Sequence, residues 1–132
     1  MSGPKGGGGA VYEYAVLRVI PSIERGETVN VGVLVYCQTK DFLGCRTHLA
    51  ERRLLALDPH LDLDGVRAAL RAIDLICCGG EKAGQAAKEP PGRRFRWLTA
   101  PRSTIVQPGP VHAGVTDDPA GELDRLLDRL VR

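Results

Sequence analysis

Arginine, histidine and small polar side chains recur in two stretches of this chain. The first holds Arg18, Arg25, Glu27 and Asn30, with Arg46 and His48 following. The second, RSTIVQPGPVH, holds Arg102, Ser103, Thr104, Gln107 and His112. A guanidinium forms bidentate hydrogen bonds to carboxylate and phosphate, so the arginines suit an anion-binding or partner-binding surface. The competing reading is that they pair with Glu24, Glu27 or Glu51, or face solvent, where ion pairs contribute little. Ser103 and His112 in one loop suggest a nucleophile and its base. No GxSxG elbow accompanies them, and no acid stands where it would orient His112. Glu24 and Glu27 lack histidine or further carboxylates nearby, so no metal is expected. No phosphate-binding GxxxxGK[ST] and no strand-linked GxGxxG occurs, and no cofactor is implied. Arg93, Arg94, Arg96 and Arg102 surround Phe95 and Trp97, a pattern that can track single-stranded nucleic acid. The alternation equally fits a short strand with Phe95 and Trp97 inward, and nucleic acid is not the expected partner.

These residues need elements to place them. Tyr14–Pro21 and Thr28–Gln38 alternate with period two and are rich in β-branched residues, which predicts strands at about 11–21 and 28–38. The Ser22–Glu27 connection, with its acids and Gly26, reads as a hairpin loop. Pairing about Glu24 sets Arg18 opposite Asn30 and Val16 opposite Gly32. A glycine inside a strand points to close approach of a backbone or a ligand. A third strand, Phe42–Ala50, would set Arg46 opposite Leu34 and His48 opposite Gly32. That register puts Val29, Val31, Val33, Val35 and Cys37 on one core face. It puts Arg18, Asn30, Arg46 and His48 on the other.

Glu51–Leu57 reads as a short helix stopped at Asp58-Pro59. A longer one is expected over Asp64–Cys78, capped by Asp64, with a Val66, Leu70, Ile73 and Cys77 stripe, and ended by Gly79-Gly80. Gly80–Arg93 reads as a mobile loop. Phe95–Leu98 and Thr104–Gln107 are expected as short strands. Pro119–Val131 is expected as a helix with Asp118 as cap and Pro119 in its first turn. The fold class is therefore α+β, an antiparallel β-meander with helices packed mainly on one face. Residues 1–9 read as a disordered tail and 10–132 as a single domain.

The chain has 132 residues, 43% hydrophobic and 5% aromatic, which predicts an aliphatic core. A net charge of +2 is too small to argue for nucleic acid. No apolar run reaches membrane-spanning length, and MSGPKGGGG lacks the apolar core of a signal peptide. The cysteines, Cys37, Cys45, Cys77 and Cys78, form no CxxC pair and read as buried free thiols. A cytoplasmic location follows as an expectation. The oligomeric state is left open.

Two blocks, YAVLRVIPSIERGETVNVGVLVY and RFRWLTAPRSTIVQPGPVHAGVTDDP, resemble the bacterial family catalogued as domain of unknown function 3037. Its motif positions here are Arg18, Arg25, Glu27, Asn30 and Gly32, then Trp97, Arg102, Ser103 and His112. Genes of the family often lie beside one for a kinase similar to the HipA-type serine/threonine kinases of toxin–antitoxin systems. The resemblance thus implies an accessory or regulatory binding protein, with a HipA-like kinase as its partner. If the second block folds over the sheet, Arg102 and His112 would join Arg18, Asn30 and Arg46 around one pocket. The alternative is a small enzyme acting on a phosphorylated or nucleotide-like substrate, with arginines as anion clamps and His112 as acid or base.

Overall fold

The computed structural model describes residues 9–22, 26–79, 88–102 and 104–132. Five strands form one antiparallel sheet: β1 (Ala10–Ser22), β2 (Glu27–Cys37), β3 (Phe42–Thr47), β4 (Val106–Pro108) and β5 (His112–Thr116). The order is β3-β2-β1-β4, and β5 continues the β4 side by pairing with the first part of β1. Among the described residues four helices accompany it: α1 (Glu51–Leu57), α2 (Leu63–Cys78), α3 (Pro91–Thr99) and α4 (Pro119–Leu130). The fold is α+β. Among the described residues, no helix is long and apolar enough to cross a membrane.

The helices cover the two sheet faces unequally. Leu54 of α1, Val66, Leu70, Ile76 and Cys77 of α2, and Phe95 and Leu98 of α3 share one core with Leu17, Val19, Val29, Val31 and Leu34. On the opposite face Leu123, Leu126 and Leu127 of α4 pack against Tyr12, Val33, Val35 and Cys37. The expected single valine face is therefore divided between two cores. A β-bulge causes this. Arg18 pairs with Asn30 as expected, but Leu17 pairs with Gly32 and Val16 with Val33, which leaves Val31 without a partner of its own. One extra residue inverts the in–out alternation beyond it. Val29 and Val31 face α2, and Val33, Val35 and Cys37 face α4.

Gly32 lies where the strands crowd. A Cβ there would come within 2.9 Å of the Arg46 carbonyl oxygen. The close approach expected at this glycine is to backbone.

The third strand is also displaced by one residue and ends at Thr47. Arg46 stands opposite Val33, not Leu34, and Thr47 opposite Gly32. His48 lies beyond the strand, and its backbone N–H donates to the Val31 carbonyl at 2.8 Å.

Local signals place the clearest helices. Asp118 caps α4, its carboxylate accepting the Gly121 N–H, with Pro119 in the first turn. In α2 the cap is Asp62, which accepts from Gly65 N–H, so Asp64 falls inside the first turn. The expected strand at Phe95–Leu98 is helical. Pro91 begins α3, and Phe95 and Leu98, three apart, share its buried side. Phe95 and Trp97 cannot both point inward on a helix, and Trp97 is left 48% exposed. Of the expected 80–93 loop, 91–93 belong to α3, and 80–87 lie outside the described residues, as do 1–8 of the tail. Strand β4 is shorter than expected. Strand β5, which the sequence reading did not anticipate, pairs Tyr14 with His112 and Ala10 with Thr116.

Candidate partner-binding surface

Arg18 lies in the middle of the sheet, between Asn30 of β2 and Gln107 of β4. Its side chain points to the α4 face. The guanidinium lies across Gly109, where a Cβ would sit 3.0 Å from Arg18 Nη2. Gly109 is buried, and its N–H donates to the Val16 carbonyl at 2.7 Å. Gly109 between Pro108 and Pro110 therefore bends the chain tightly enough to pass beneath an arginine. The glycine–proline pattern was the available sequence signal for this contact. Arg18 is half-buried, and among the described residues its guanidinium makes no side-chain hydrogen bond or ion pair.

Further along β1 on the same face come Val16, Tyr14 and Tyr12. The Tyr14 ring lies 5.2 Å from the His112 ring and 5.8 Å from that of Tyr12. Tyr12 is 6% exposed. Burial is the main cause that raises its pKa above the usual 10.0, and Glu122 of α4 adds to it. His112, Tyr14, Val16 and Arg18 thus form a strip of sheet beside α4.

The other candidates on this face are held by α4. Asn30 Nδ2 donates to the Leu130 carbonyl at 2.8 Å, satisfying a carbonyl at the end of the helix. Arg46 Nε lies 3.4 Å from Asp124 Oδ1, and its Nη1 donates to the Cys45 carbonyl. The sequence reading placed Arg46 on the Arg18 face, and it is there, although the route was wrong twice. The bulge inverts β2, the one-residue slip inverts β3, and the two inversions cancel.

Arg102 belongs to the other side of the sheet. Its guanidinium lies 4.5 Å from the Trp97 ring of α3, and it donates to the Trp97 and Ala100 carbonyls. It is not joined with Arg18 and His112 in one pocket. Glu27 stands opposite Ser22 at the mouth of the hairpin. Arg25 and Ser103 lie outside the described residues.

The basic stretch around α3 has internal uses that the sequence reading missed. Arg94 Nη1 donates to the carbonyls of Ile76, at 3.0 Å, and Cys77, at 2.7 Å, closing the end of α2. Its Nε donates to the Glu89 carbonyl. Arg96 grips Glu13 with two hydrogen bonds, of 3.0 and 2.6 Å, and its pKa is raised chiefly by that contact. Arg93 is 3.8 Å from Glu89.

Among the described residues, cavities open on the surface in at least three places. One of about 660 Å³ runs between Tyr36, Gln38, Asp41 and the start of α3. A second, about 390 Å³, adjoins Trp97, and a third, about 490 Å³, lies between β3 and α2. None of the three is lined by Arg18 or His112. Tyr14, Val16 and Arg18 are half-buried, and His112 is exposed.

No group of three or more His, Cys, Asp or Glu able to hold a metal is found among the described residues. Cys37, Cys45 and Cys77 are buried free thiols. Cys78, next on the helix after Cys77, is exposed, contrary to expectation. A hydrogen bond to Cys45, then burial, pushes the Cys77 thiol far up.

No curated protein matches the chain, and neither does any solved structure. A family model described as Protein of unknown function (DUF3037) matches residues 14–131, from within β1 to the end of α4, and the chain belongs to that family.

Proposed function

We propose that this protein is a small accessory binding protein that recognises an acidic or phosphorylated group on a protein partner through the Arg18–Tyr14–His112 strip. The state of Arg18 carries this reading. Arg46, Arg67, Arg93, Arg96, Arg125 and Arg132 all pair with carboxylates of the chain itself. Arg18 has no such partner among the described residues, although it is half-buried and lies across Gly109. A preoriented guanidinium loses little freedom when it binds an anion, and the Tyr14 phenol and His112 imidazole, further along the strip, add hydrogen-bonding capacity. The resemblance set out above supplies the partner, a HipA-like serine/threonine kinase, and the setting is cytoplasmic. The enzyme reading needs Arg102 and His112 in one concave site, and Arg102 is engaged with Trp97 on the other face.

Co-expression with the adjacent kinase-like gene, followed by size-exclusion chromatography, tests the proposal. A complex should form at micromolar concentration. Arg18→Ala should weaken it by about tenfold or more, the loss of one charge-assisted contact. Arg71→Ala, an exposed position on α2, should leave it unchanged. No complex, or equal binding by the Arg18 variant, would overturn the reading.

A further inference from the structure

Strand β5 lies at the border of the sheet, and its partner among the described strands is β1. No described residue supplies a further backbone hydrogen bond along its outer side. Edge strands are ordinarily guarded by charges, prolines or a covering element. The sequence of β5, HAGVT, has no Lys, Arg, Asp, Glu or Pro. The opposite edge, β3, carries Arg46, which is tied to Asp124 of α4. On the face away from α4, Val115 is 66% exposed, and its cross-strand neighbour Val11 is 64% exposed. An unguarded edge therefore coincides with an exposed valine pair.

We propose that β5 is a self-association edge: His112–Thr116 of one copy pairs antiparallel with His112–Thr116 of a second copy, about a two-fold axis at Gly114. The segment is self-complementary in this register. Ala113 of each copy meets Val115 of the other, and His112 meets Thr116. The exposed valines of both copies are brought together on one face of a continuous sheet. Charge selects the direction. Asp117 and Asp118 follow β5 directly, so a parallel pairing would set four carboxylates side by side. The antiparallel pairing puts the acids of the two copies at opposite ends, against the uncharged Val111 and Pro110. A two-fold interface of this kind closes on itself and gives a dimer, not a filament. The proposal does not rest on Arg18 or on the kinase.

Light scattering during size-exclusion chromatography, with the full chain loaded at about 1 to 200 µM, tests it in the range where a small interface associates. The mass should rise with concentration from 14.2 kDa towards twice that value. Val115→Lys should weaken association by about tenfold or more, because it places two like charges across the two-fold. Val11→Lys should act in the same direction. Leu75→Lys, an exposed apolar position on α2, should associate as the unaltered chain does. Amide hydrogen exchange should slow with concentration within 112–116. A monomer over the whole range would overturn the proposal. So would a Val115→Lys dimer of unchanged strength, or dimers whose protected amides lie elsewhere.

Discussion

On the face covered by α1, α2 and α3, the arginines around α3 are engaged by the protein's own groups. Arg94 closes the end of α2, Arg96 holds Glu13, and Arg102 lies on Trp97. On the other face a single helix, α4, packs over the β2–β3 half of the sheet and engages Asn30 and Arg46 there. Arg18, one strand further out, lies beside that helix, and among the described residues no acid meets it. The comparison teaches that the number of covering helices decides which charged residues become structural. A lone helix 12 residues long cannot cover a sheet of five strands. The uncovered strip is where a polar residue stays available to a partner.

The largest expected effects test whether the two faces form one folding unit. Phe95 and Leu123 are fully buried on opposite faces. Phe95→Ala should cost about 3–5 kcal/mol and Leu123→Ala about 2–5 kcal/mol, from lost burial and the cavity left behind. Both should move a single urea transition, because both cores share the strands between them. Two separate transitions would break the comparison into two independent layers.

A smaller effect separates the engaged arginine from the available one. Arg94→Met leaves the Ile76 and Cys77 carbonyls without their donor and should cost about 1–3 kcal/mol. Among the described residues Arg18→Met removes no side-chain hydrogen bond or ion pair, and its stability change should stay within about 0.5 kcal/mol. Equal losses, read by urea denaturation, would mean that Arg18 is structural and would remove the basis of the binding surface.

The smallest effect is confined to alkaline pH. Tyr12 lies under α4 with its pKa above 10.0, so the folded state retains the phenolic proton more strongly than the unfolded chain does. Its contribution to stability is complete below pH 10.0 and is lost as pH rises through the higher folded value. Tyr12→Phe should therefore lose stability less steeply above that pH. Parallel decline in the two proteins would show that the α4 face does not hold the phenol neutral.

Much of the architecture was legible in local sequence. The β1–β2 hairpin, α2, and α4 with its Asp118-Pro119 start rest on periodicity and capping chemistry that act within a few residues. The pairing of Arg18 with Asn30 was legible as well, although a second register shift separates it from the hairpin mouth, where Ser22 pairs with Glu27. What was misread has a common physical origin. Residues 31–35 of β2 are all buried, so both faces are apolar, and alternation has no polar side to mark the bulge at Val31. Arg93–Thr99 carries apolar residues at spacings that suit either a strand or a helix, and docking of Phe95 and Leu98 onto the first core settled it as a helix. Strand β5 has weak β-forming sequence and exists because β1 offers it an edge.

The sequence by itself determined the α+β class, the family, and which side chains carry the charge that an anion would meet. Only the tertiary structure decided which of them are already engaged. A guanidinium meets a carbonyl or carboxylate that can lie anywhere in the chain: Arg94 finds α2, Arg46 finds α4, and Arg18, flanked by β2 and β4, finds neither among the described residues.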